Sequence, residues 1–94
     1  MNHLVLEITK NDTGVMVNRH TLSTVEAVTE ERQAKFIESA CRDIFSEPTF
    51  QNHGYIMEMV SVLPRMYDGS IISNGVVAEK DCNGYHFKLT KTSD

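Results

Sequence analysis

This sequence predicts an α+β fold: an antiparallel sheet of four or five strands with one long helix packed on one face. Three observations carry that expectation. Leu4, Leu6 and Ile8 recur at every second position, residues 29–46 space their apolar side chains by three and four, and Asp68-Gly69, Asn74-Gly75 and Asn83-Gly84 punctuate the last third of the chain.

The first strand is read from Leu4, Leu6 and Ile8, which alternate with Val5, Glu7 and Thr9. Period two puts the first three on one buried face. The stretch Asn11-Asp12-Thr13-Gly14 then supplies local side-chain hydrogen bonds and a permissive backbone, so that residues 15–20 return as an antiparallel partner. Val15 and Val17 are expected to join the buried face, with Asn18 and His20 pointing away from it. Residues 24–28 stay open. Ser23 and Glu26 match a capping box for an early helix start, while the same stretch also alternates like a strand.

The helix itself runs over 29–46. Phe36, Ile37, Ala40, Cys41, Ile44 and Phe45 form its apolar stripe, and Glu30 and Glu31 favour the positive end of the helix dipole. Away from the stripe, Glu31, Lys35, Glu38 and Arg42 alternate in sign at spacings of four and three, each pair contributing about 0.2 to 0.5 kcal/mol. Pro48 ends the helix. Residues 55–63 fit both periods, and a strand is preferred because the run is apolar on both faces and contains Val60 and Val62. The C-terminal meander centres on a hairpin of 76–80 with 85–90, Tyr85, Phe87 and Leu89 inward and His86, Lys88 and Thr90 outward. Asn74-Gly75 reads either as a turn or as a bulge in a longer strand over 71–80.

At 94 residues the chain is expected to form a single domain over 1–94, with residues 91–94 frayed. Thirteen acidic residues against nine basic ones give a net charge of −4, which argues against a duplex-binding module. The first ten residues lack the basic leader and long apolar run of a secretory signal, and no stretch reaches the roughly 20 apolar residues of a membrane span. Two cysteines are too few for a secreted disulfide framework, so a cytoplasmic protein without a native disulfide is expected.

Motifs that would name a chemistry are missing. There is no phosphate-binding loop, no dinucleotide fingerprint and no nucleophile elbow, and no cofactor is called for. His3, His20, His53 and His86 have no metal-ligand spacing and read as scattered surface histidines. Cys82 and His86 flank a turn, and as a thiolate with its base they give the alternative of a small enzyme or ligand-binding domain. Tip residues of a hairpin are wet and poorly oriented for that task, and Cys41 reads as core. Met57, Met59 and Met66 near Tyr55 and Tyr67 read as core packing, or as an adaptable binding patch if the segment lies at a sheet edge. A further alternative is weak nucleic-acid binding through Lys80, Lys88 and Lys91.

The leading expectation is a non-enzymatic protein-binding module. It is a small acidic inhibitor or adaptor, of the kind that viral and mobile-element accessory proteins exemplify, a comparison that rests on analogy alone. Between residues 26 and 47 acidic residues outnumber basic ones by six to three, and Glu30, Glu31, Glu38 and Asp43 are the residues expected to meet a partner with a basic surface. Exposed sheet edges and a small core are also compatible with a homodimer.

Overall fold

A computed structural model of the chain describes residues 1–46, 69–82 and 84–94, with only the backbone of residues 41, 43–46 and 82. The described elements are β1 (Asn2–Lys10), β2 (Met16–Thr24), α1 (Glu30–Ser46), β3 (Gly75–Cys82) and β4 (Tyr85–Ser93). The class is α+β. The four strands form one antiparallel sheet in the order β2-β1-β4-β3. The preferred strand over 55–63, the fifth of the expected range, lies outside the described residues.

Alternation builds the core as the sequence leads one to expect in β1 and β4. Leu4, Leu6 and Ile8 are fully buried, and the β1–β4 register sets Leu6 opposite Leu89 and Ile8 opposite Phe87, both also fully buried. Ile37 and Ala40 of α1 join the same cluster, which identifies the side of the sheet that the helix covers. Tyr85 packs against its margin, so the inward set expected for the last hairpin is the observed one.

The second strand corrects the sequence reading. Leu4 pairs with Leu22, Leu6 with His20 and Ile8 with Asn18, and the register slips between Ile8 and Thr9. Paired residues share a face, so Asn18, His20 and Leu22 belong to the helix side, whereas Val15 and Val17 are exposed. A one-residue slip inverts every later side chain, and that is what the bulge does here.

Residues 24–28 also resolve. Thr24 ends β2, and its hydroxyl accepts the Glu26 N–H at 3.1 Å. Val28 is fully buried, its carbonyl accepts the Ile72 N–H at 2.9 Å, and Thr29 forms an isolated bridge with Ile71. A segment tied to 70–72 in this way cannot also begin a helix. Thr29 is the cap instead: its hydroxyl accepts the Arg32 N–H at 3.3 Å, and α1 starts one residue later.

At the C-terminus, β4 runs on to Ser93. Lys91 is buried, Ser93 pairs with Asn2, and the Asp94 N–H donates to the Met1 carbonyl at 3.1 Å. At the other end of the sheet, Gly14 and Gly84 turn the two hairpins at φ 71° and 84°. A Cβ at either would meet nothing within 4 Å, so the requirement is one of backbone conformation and not of space. Asn74 precedes β3 and Gly75 is its first residue, and the register shift of β3 falls between Val76 and Ala78 rather than at Asn74-Gly75.

Candidate partner-binding surface

Helix α1 sorts its residues by angle. Gln33, Ala34, Ile37 and Ala40 are buried, so residues roughly half a turn away face outward. Glu31, Lys35, Glu38 and Arg42 are exposed, and the Lys35 Nζ reaches Glu31 Oε1 at 3.3 Å. Arg32 forms an ion pair with Glu26, which precedes the helix.

The four acidic positions named from the sequence are not equivalent. Glu31 and Glu38 are seven residues apart, hence two turns along the same exposed side. Glu30 is likewise seven residues from the buried Ile37, and it is half-buried, with its backbone N–H donating to the Ser70 carbonyl at 3.0 Å. The Asp43 side chain lies outside the description. Among the described side chains, the acidic character of the outer helix therefore concentrates at Glu31 and Glu38, interleaved with Lys35 and Arg42.

Beside this surface runs a groove of about 420 Å³ between α1 and β2, an outer strand among the described residues. Leu22, Phe36 and Ala40 give it an apolar lining, and His20, Thr21, Arg32, Lys35 and Ser39 give it a polar one. Sequence reasoning misses it because alternation counted from Val15 and Val17 directs His20 to the far side of the sheet. The signal that could have found it is Leu22, an aliphatic residue two positions beyond His20 in a stretch whose alternation continues past the expected end of the strand.

The opposite face of the sheet carries an imidazole held by two carboxylates. His86 Nδ1 lies 2.7 Å from Asp81 Oδ1 and Nε2 lies 2.8 Å from Glu79 Oε1. Both nitrogens can donate only in the imidazolium form, and the hydrogen bond to Asp81, followed by that to Glu79, raises the His86 pKa above the ordinary 6.5.

That arrangement bears on the thiol alternative. The register sets Cys82 opposite Tyr85 and Asp81 opposite His86, and the Cys82 side chain lies outside the description. The lysines do not gather. Lys88 pairs with Glu79 and Glu7 across the open face, whereas Lys80 pairs with Phe87 on the helix side. Lys91 is buried, its Nζ donating to Asn74 Oδ1 at 2.7 Å and Ser93 Oγ at 2.9 Å.

Among the remaining histidines, His3 Nδ1 lies 2.7 Å from Ser23 Oγ and its Nε2 lies 3.2 Å from Asp94 Oδ1, while His53 is outside the described residues. No group of three or more His, Cys, Asp or Glu among the described residues is arranged to hold a metal ion. No described helix is long and apolar enough to cross a membrane. No protein-family model, curated protein or solved structure matches the chain.

Proposed function

We propose that this chain is a non-enzymatic protein-binding module, a small acidic inhibitor or adaptor that occupies a basic surface of a partner protein through the outer side of α1. The observation that carries the reading is the pair Glu31 and Glu38, both exposed and two turns apart on the side of the helix turned away from Ile37 and Ala40. Exposed ion pairs contribute only about 0.2 to 1 kcal/mol each, so these carboxylates act mainly by steering encounter and fixing register. Affinity needs an anchor that sheds water. The groove alongside, with Leu22, Phe36 and Ala40 in its wall, offers a place for one apolar side chain of the partner.

The test compares partners retained from lysate by the wild-type chain, by Glu31→Lys/Glu38→Lys and by Ser39→Trp, using quantitative mass spectrometry at low and high salt. The double reversal is expected to lose the specifically retained proteins at low salt, and Ser39→Trp, which fills the groove, to lose them at both. Retention by the double reversal equal to wild type at every salt concentration removes the acidic helix from the function. Circular dichroism confirms that each variant folds.

A further inference from the structure

The sheet face turned away from α1 has no covering element among the described residues, and its side chains fall into rows across the order β2-β1-β4-β3. One row reads Arg19, Glu7, Lys88, Glu79, which alternates in charge from one edge to the other. The neighbouring row reads Thr21, Val5, Thr90, Val76, with Val76 53% exposed. Although Glu7 lies between Arg19 and Lys88, the ion pairs among the described residues are formed elsewhere, and none joins these three.

We infer that this face is a homodimer interface, in which two copies stack sheet against sheet about a two-fold axis lying parallel to the strands between β1 and β4. That operation keeps each row in place and reverses its order. Glu7 then meets Lys88 of the second copy and Arg19 meets Glu79, each twice by symmetry, while Val5 meets Thr90 and Val76 meets Thr21. The other in-plane dyad, running along the row, sets Glu7 over Glu7 and Lys88 over Lys88. Like charges across an interface oppose association, so the charge row selects the first axis over the second. The same pattern selects the occupant. A partner of one charge sign meets attraction and repulsion equally along a row of two cations and two anions, whereas a second copy meets attraction at all four positions.

The area suits a weak dimer. Four strands about 4.8 Å apart, each of eight or nine residues at about 3.3 Å per residue, make a face of roughly 19 by 30 Å, on the order of 570 Å² per copy. Two copies bury about 1,100 Å², just under the range of standard specific interfaces and in the range of weak, transient ones. Both copies of α1 point outward in this arrangement, so dimerisation is independent of what the helix binds.

Sedimentation equilibrium tests the interface. The wild-type chain is expected to pass from monomer to dimer mass between about 10 and 500 μM, as a weak complex with a Kd on the order of 100 μM does. Glu7→Lys and Lys88→Glu are each expected to stay monomeric over that range, because each places like charges across the dyad. Mixed in equal amounts they are expected to form a heterodimer, since the lysine introduced in one chain then faces the glutamate introduced in the other. The double variant Glu7→Lys/Lys88→Glu is expected to self-associate like wild type. Mixing leaves every contact within a chain unchanged, so its recovery reports the interface alone. Arg19→Glu, an exposed edge substitution with little bearing on folding, is expected to weaken the dimer by at least about tenfold. A wild-type chain still monomeric at about 1 mM, well above the micromolar range, overturns the inference. So does an equimolar mixture of folded single variants that remains monomeric, or an Arg19→Glu variant that dimerises like wild type.

Discussion

Ile37 is fully buried in the cluster that joins the helix to β1 and β4, and its truncation should be felt throughout the domain. Ile37→Ala is expected to cost about 2 to 5 kcal/mol, read as a shift in denaturant midpoint at constant slope. Its burial was legible from spacing, because an apolar residue three and four positions from others has one side of a helix available to it. His86 makes the opposite case. Its outward direction followed from alternation, yet the two carboxylates around it depend on a register that no local pattern states. Because its folded pKa lies above the unfolded value, the imidazolium stabilises the fold fully below about pH 6.5 and loses that contribution as pH rises through the folded value. NMR titration should place the His86 midpoint above 6.5, and Asp81→Asn should move it back towards the ordinary value. An unchanged midpoint in that variant would remove Asp81 as the cause.

Among the elements, the start of α1 is fixed by one hydroxyl. Thr29→Ala leaves the Arg32 N–H without its cap and is expected to cost about 0.5 to 2 kcal/mol, whereas Thr29→Ser should be close to neutral. Thermal unfolding of the two variants side by side separates the cap from the rest of the Thr29 environment. The helix start was legible because a capping threonine followed by two glutamates is a local signal. Strand β2 was not legible in its facing. Its alternation is intact, but the slip between Ile8 and Thr9 moves the phase, and period two says which residues share a face without saying which face is covered. The same limit explains why the acidic patch reads more uniformly in the sequence than on the helix. Composition counts Glu30 with Glu31, whereas one residue of helical rotation turns Glu30 towards the side of Ile37 and Glu31 away from it.

At the scale of the molecule, the sheet order puts the two strands most distant in sequence at its centre. β1 and β4 each have neighbours on both sides, while among the described residues β2 and β3 are the outer strands. Amides of Leu6, Ile8, Phe87 and Leu89 are therefore expected to exchange slowest with solvent, and those of β3 faster, in native-state hydrogen exchange. Equal protection across all four strands would contradict a centre made of β1 and β4.

By itself the sequence determined the α+β class, the apolar faces of β1 and β4, the burial of Ile37 and Ala40 on α1, and the turns at Gly14 and Gly84, because each follows from the periodicity or backbone preference of adjacent residues. Only the tertiary structure decided that β1 lies between β2 and β4, that Val28 and Lys91 are buried, and that Arg19, Glu7, Lys88 and Glu79 form one row. Those facts depend on which distant segments pair and in what register, and pairing is chosen by burial of the whole core at once.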